Sequence, residues 1–93
     1  MDAPTAARWG LVNRVVAADA LLETAFDLAA RVAANAPLAV QAAKELIVRS
    51  LDLDDMGLHA LTRHVYRRLL ESEDAKEGPR AFAEKRPPRW TGR

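Results

Sequence analysis

Along most of this chain apolar side chains return every three or four positions, the spacing of one helix face, and only one short run alternates instead. Asp2 offers an oxygen to the free amides of a first turn, Pro4 is tolerated there, and Gly10 can take a left-handed exit. A short helix is therefore expected over 3–9. Leu11-Val12-Asn13-Arg14-Val15-Val16 is β-branched and partly alternating, so a strand is expected, although no second strand follows to pair with it. Asp19 is placed to cap a helix over 20–34, with Leu22, Ala25, Phe26, Ala29 and Ala33 on its core face. Asn35-Ala36-Pro37 should stop that helix and start the next, because the residue before a proline is pushed out of the helical region while Pro37 suits a first turn.

The next helix is expected over 38–51, with Ala39, Val40, Ala43, Leu46, Ile47 and Leu51 as its apolar set. Asp52-Leu53-Asp54-Asp55 supplies a turn and a cap, after which Leu58, Leu61, Val65 and Leu69 draw a narrower stripe on a helix to about residue 71. Ser72 can cap a last helix. Gly78-Pro79 falls inside it and predicts a kink or two short helices, and Pro87-Pro88 predicts an extended end. The fold class is mainly α, with at most one short strand near residues 11–16.

Composition narrows the classes of partner. With 14 basic and 13 acidic side chains the balance is near neutral, unlike a dedicated nucleic-acid binder. The average conceals an asymmetry: from Lys76 onward six Lys or Arg stand against two Glu, a positive end suited to phosphate. Cysteine is absent and no charged-then-apolar leader stands at the start, which fits a reducing, cytoplasmic setting. The longest uncharged run, twelve residues from Val32 to Ala43, is far short of the roughly 20 a membrane span requires, so neither a membrane nor a nucleic acid is expected as partner.

Self-contained catalytic motifs are missing. There is no Gly-x-Ser-x-Gly elbow, phosphate-cradling glycine loop or dinucleotide fingerprint. His59 and His64 are five apart, whereas helical histidines sharing one metal sit four apart, and Asp52, Asp54 and Asp55 lack the glycine and glutamate positions of a calcium loop. No metal site and no catalytic residue is expected. Arg63, His64, Arg67 and Arg68 give one helix a basic side, a pattern most often found on solvated faces. Phe82 and Lys85 pair a flat ring with an ammonium group at i and i+3, which suits a nucleotide's base and phosphate; the alternative is a packed Phe82 beside a solvated Lys85. Trp90 has a similar choice between an exposed contact and an anchor for the extended end.

Three blocks together resemble the crotonase family, the enoyl-CoA hydratases and isomerases. They are Ala6-Ala7-Arg8-Trp9-Gly10-Leu11-Val12-Asn13-Arg14-Val15-Val16, Ala36-Pro37-Leu38-Ala39-Val40-Gln41-Ala42-Ala43-Lys44, and Ser72 to Arg93 with its Ala-Phe-x-Glu-Lys-Arg segment. The resemblance implies the C-terminal helical region of a crotonase-like fold, residues 1–93 forming one partial domain without the upstream spiral. In that family a pair of backbone amides holds the thioester oxygen, and in the hydratases two glutamates move the protons. Those elements lie in the upstream part, so the chain is expected to be inactive alone.

The resemblance further implies that Phe82 and Lys85 contact the adenine and phosphates of coenzyme A, with acyl-CoA as substrate and no separate cofactor. It implies subunit contacts in a homo-oligomer, a trimer or hexamer, together with the N-terminal crotonase region. A Glu common in the helix before Ser72 aligns with Thr62, so no role of that carboxylate carries over. The competing expectation is a free-standing helical oligomerisation module that associates through the faces around Leu22 and Leu46 without binding coenzyme A.

Overall fold

A computed structural model describes residues 1–93. They form two compact units, residues 1–31 and 32–93. Five α-helices carry both units and no strand forms.

The first unit begins with α1, Ala3–Arg8. Asp2 caps it by accepting from the Thr5 amide at 2.9 Å, and Pro4 sits in the first turn, where its missing N–H costs nothing. Gly10 takes φ 73°, and the amides of Gly10 and Leu11 close back on Ala7 and Ala6 at 3.1 and 2.9 Å, a Schellman ending. The strand expected over 11–16 is absent. A strand needs a partner ladder to satisfy its amides, this chain has none, and Leu11, Val12, Val15 and Val16 remain 38% to 62% exposed in irregular backbone.

A 3₁₀ turn, Ala18–Ala20, precedes α2, Leu21–Ala33. Asp19 lies inside that turn rather than capping a helix, since helical winding already begins ahead of it. The α2 face read as core is also turned outward. Leu22 and Phe26 are 70% and 72% exposed, while Thr24 and Leu28 are half-buried instead. Leu11, Val12, Val16, Leu21 and Leu28 line an apolar groove of about 290 Å³ in this unit.

The second unit contains α3, Pro37–Arg49, α4, Asp55–Leu70, and α5, Glu73–Ala83. Pro37 opens α3 as the sequence predicts, and Asp54 caps α4 by accepting from the Gly57 amide at 2.7 Å. Helix α3 packs on α4, and α4 on α5. The stripe of α4 faces inward, with Val65 buried and Leu58, Leu61 and Leu69 half-buried. Across from it lies Ala42, also buried, a residue small enough for the two backbones to approach closely. The outer side of α3 is the more apolar: Ile47 and, just beyond the helix, Leu51 are 69% and 86% exposed.

Ser72 caps α5 as expected, its hydroxyl accepting from the Ala75 amide at 3.1 Å and donating to the Leu69 carbonyl at 2.6 Å. Of the two alternatives expected, a kink or two short helices, the second does not occur: α5 runs continuously through Pro79. One obstacle is absent: a side chain preceding proline collides with the proline ring in the helical region, and Gly78 has no Cβ to collide, although the Ala75 carbonyl still lacks the amide that Pro79 cannot supply. Ala81 is buried, at 2% exposure, on the inner side of this helix. No helix in the chain is long and apolar enough to cross a membrane.

Candidate functional site

The end of α5 and the chain that follows it form the most highly organised polar region of the second unit. Ala83 is the last helical residue, Glu84 caps the end, and Lys85 takes φ 53°, the only non-glycine residue in the left-handed region. The Lys85 amide donates to the Phe82 carbonyl at 3.2 Å and the Arg86 amide to the Ala81 carbonyl at 3.0 Å. That is the same Schellman ending made at Gly10, with lysine standing where glycine is usual. Phe82 and Lys85 are thus brought to one turn by this closure. Helical i, i+3 repetition does not relate them, because the helix has ended between the two.

Phe82 is 87% exposed, which excludes its packing into a core of this chain. Lys85 is exposed and its ammonium makes no hydrogen bond or ion pair. Its neighbour Arg86, by contrast, engages two carboxylates. Glu77 accepts from both terminal nitrogens of Arg86, at 2.5 and 3.1 Å, and Glu84 accepts from its Nε at 2.5 Å. The Glu77–Arg86 fork is half-buried, with 14% and 28% of the side chains exposed, and planar bidentate pairs of this kind fix orientation as well as charge. Glu77 Oε1 also accepts from the Arg89 amide at 2.7 Å. Arg86, and then the Arg89 amide, hold the Glu77 carboxyl down at about 2, while Glu77 and then Glu84 raise the Arg86 guanidinium above its already high value.

Residues 87–93 are extended, as Pro87-Pro88 predicts, and a second carboxylate draws them back onto α5. Asp74, 4% exposed, accepts from the Thr91 amide at 2.7 Å, the Thr91 hydroxyl at 3.1 Å and the Gly92 amide at 3.0 Å. The Thr91 amide, ahead of the others, keeps the Asp74 carboxyl below its ordinary value. In return the Glu73 and Asp74 amides at the start of α5 donate to the Arg93 oxygen at 2.6 and 3.3 Å. Trp90 is an anchor: it is half-buried, its Nε1–H donates to the Ala34 carbonyl at 2.9 Å, its ring stands 3.6 Å from where a Cβ on Gly78 would be, and it lines a small cavity together with Ala36, Leu38 and Ala75.

The sequence points to Phe82, Lys85 and Trp90 but not to the residues that arrange them. Asp74 and Glu77 read as ordinary acids on an exposed helix; the available signal was their spacing of three, which puts both on the side of α5 that a returning tail with Arg86 and Arg89 would meet. His59, Arg63, His64, Arg67 and Arg68 are exposed along α4 and none comes into this region.

This arrangement of helices and tail is shared with a known family. The sequence profile described as Enoyl-CoA hydratase/isomerase matches residues 1–93, so the chain belongs to that family. It is 48% identical over 97 residues to a carnitinyl-CoA dehydratase of Proteus mirabilis and 45% identical to one of Salmonella typhi, in each case with all of this chain and 37% of the relative aligned. Among solved structures, an enoyl-CoA hydratase from Mycobacterium marinum superposes with TM-score 0.94 at 42% identity, covering all of this chain and 38% of that one. An enoyl-CoA hydratase/isomerase from Mycobacterium paratuberculosis gives TM-score 0.92 at 42% identity, covering 37% of its length. The chain therefore corresponds to the C-terminal part of crotonase-fold proteins and spans a little over a third of the relatives it matches.

Proposed function

We propose that this chain supplies the nucleotide-end coenzyme A contacts and part of the subunit interface of a crotonase-type enzyme, and that it does not turn over substrate by itself. The observation that carries this reading is Phe82, an aromatic ring 87% exposed on the same turn as an unpaired ammonium at Lys85. A ring open to solvent offers a stacking face for adenine, and a lysine without an ion pair offers charge to phosphate. The relatives' names specify different acyl groups, carnitinyl and enoyl, on one carrier. The carrier is what this end of the fold would recognise, as substrate and not as a resident cofactor.

The exposed faces of α2 and α3 support the interface part of the proposal. Leu22, Phe26, Ile47 and Leu51 would be covered by the upstream crotonase region and by neighbouring copies in a homo-oligomer such as a trimer or hexamer. The same exposed faces favour the second reading, a helical module that self-associates without binding coenzyme A.

Calorimetric titration with free coenzyme A, alongside light scattering, separates the two. Under the first reading Phe82→Ala and Lys85→Ala each weaken binding about fivefold to tenfold, the equivalent of about 1 kcal/mol for a lost stacking or charge contact. No hydration of crotonyl-CoA should follow the chain through purification. Self-association with no coenzyme A heat favours the module, and an unchanged dissociation constant in both variants removes the site.

A further inference from the structure

Two helices in this chain end in the same Schellman geometry, and they use different residues at the left-handed position. At the end of α1 that position is Gly10, φ 73°, in open surroundings where a Cβ would meet nothing within 4 Å. At the end of α5 it is Lys85, φ 53°. Left-handed backbone disfavours any residue with a Cβ, so glycine would make the second turn more readily as well. Something other than chain reversal accounts for lysine there, and something must hold it in place.

The holding groups are on both sides of it. Glu84 and Arg86, its chain neighbours, are bonded to each other through Arg86 Nε, and Arg86 is forked onto Glu77 nine residues earlier on α5. A peptide flip that released Lys85 from the left-handed region would move Arg86 and so break the fork. Glu77 and Glu84 bond Arg86, and the Lys85 ammonium makes no ion pair with either.

We infer that Glu77 is a positioning residue: through its fork with Arg86 it locks the left-handed turn at 84–86 and so presents Lys85, without an ion pair, on the same turn as the exposed Phe82. The inference rests on the proposed coenzyme A reading for what Lys85 is presented to, and not for the lock itself. Glu77 touches no ligand in this scheme; its effect reaches the site only through Arg86.

The test uses the full chain in solution and reads the lock separately from the ligand. In Glu77→Gln, NMR couplings at Lys85 should lose their positive-φ signature and exchange of the Arg86 amide, which donates to Ala81, should accelerate at least about tenfold as local opening becomes easier. The Ala75 amide, capped by Ser72, should change less than about twofold on the same scale, which distinguishes a local lock from general loosening. Titrated with free coenzyme A, the variant should bind about tenfold more weakly. Arg86→Lys keeps the charge, loses the fork, and should reproduce these changes, so it carries the test if Glu77→Gln does not fold.

Lys85→Gly provides the opposing sign: its melting temperature should rise by a few degrees, about the gain of glycine at a left-handed site, while coenzyme A affinity falls. An unaltered Lys85 φ signature and Arg86 exchange rate in Glu77→Gln overturns the lock, whether or not coenzyme A binds. A broken lock with unchanged affinity overturns the positioning role. Unchanged affinity in Lys85→Gly, with the lock intact in the native chain, overturns the part of Lys85 in the coenzyme A site and leaves the lock standing.

Discussion

Trp90 is the side chain on which the extended tail depends most, and replacing it dissects how that tail is held. Trp90→Ala removes the hydrogen bond from Nε1 to the Ala34 carbonyl and the half-buried ring that stands over Gly78 and walls the cavity beside Ala36, Leu38 and Ala75. A buried tryptophan removes about 150–250 Å² from water, and at about 25 cal/mol per Å² some 150 Å² of that in this half-buried ring is worth about 4 kcal/mol. Residual burial in the unfolded chain lowers the figure by roughly a quarter, and the neutral hydrogen bond adds about 1 kcal/mol, for a total loss of about 4 kcal/mol. Trp90→Phe keeps most of the apolar area and loses the N–H, so it should cost about 1–2 kcal/mol, chiefly the unmade bond at Ala34.

Urea unfolding of the chain and both variants, followed by far-UV circular dichroism, measures both numbers through the shift in midpoint at constant slope. The ratio is the informative quantity, because an anchor that works mainly by packing gives a phenylalanine variant less than half as damaged as the alanine one. Equal losses in the two variants would mean that the Ala34 bond alone holds the tail. A loss below about 0.5 kcal/mol for Trp90→Ala would mean that the carboxylate contacts of Asp74 and Glu77 hold it without the ring, refuting the role assigned to Trp90.

Acid should release the tail in a defined window: the folded Glu77 carboxyl lies at about 2 against an ordinary 4.5, so its stabilisation is complete above about pH 4.5 and is lost as pH falls toward 2. Asp74 is depressed in the same direction, and melting temperature followed from pH 6 to 2 should fall with a shallower slope in Glu77→Gln than in the native chain. Gly78→Ala should change sign with its neighbour. The new Cβ meets Trp90 at an ordinary 3.6 Å, so in a Pro79→Ala background it gains the roughly 1 kcal/mol of helix propensity, whereas beside Pro79 it meets the proline ring and destabilises; a double-mutant cycle without coupling would discard that account of the unbroken helix. Val65→Ala, between α3 and α4, should cost about 2 kcal/mol by the same urea assay, two methyl groups plus the space they leave.

Helix existence was legible because it is local. Asp2, Asp54 and Ser72 each cap the helix that follows them, Pro37 opens α3, and the α4 stripe of Leu58, Leu61, Val65 and Leu69 faces inward, all of which depend on residues within about one turn or on a periodic face. Expectations failed where the deciding partner is elsewhere or where two local rules compete. Leu11 to Val16 has strand composition without a strand to meet, so composition could not produce a ladder. At Gly78-Pro79 the missing amide and crowded preceding turn predicted a kink or two short helices; α5 is one helix, and Gly78 relieves only the clash between the proline ring and the residue before it. In the candidate site the aromatic and basic residues were visible as types, while Glu77 and Asp74 gained meaning only when the tail folded back onto α5, contacts 9 to 18 residues apart in sequence.

The exposed apolar faces of α2 and α3 explain what kind of stability this chain has. Periodicity identifies a face that seeks cover, and it does not say whose surface provides that cover. On α4 the stripe is met by α3, within the chain. On α2 and the outer side of α3 it is met by solvent, with Leu22, Phe26 and Ile47 each about 70% exposed. Burying each such side chain is worth about 1.5–3 kcal/mol, so these three with Leu51 represent about 6–12 kcal/mol, which matches the whole net stability of an ordinary domain. The three buried apolar residues, Ala42, Val65 and Ala81, are small by comparison. That hydrophobic free energy is not realised within the chain, and the clasp formed by Asp74, Glu77, Arg86 and Trp90 gives the α5 end a defined shape from contacts inside the second unit.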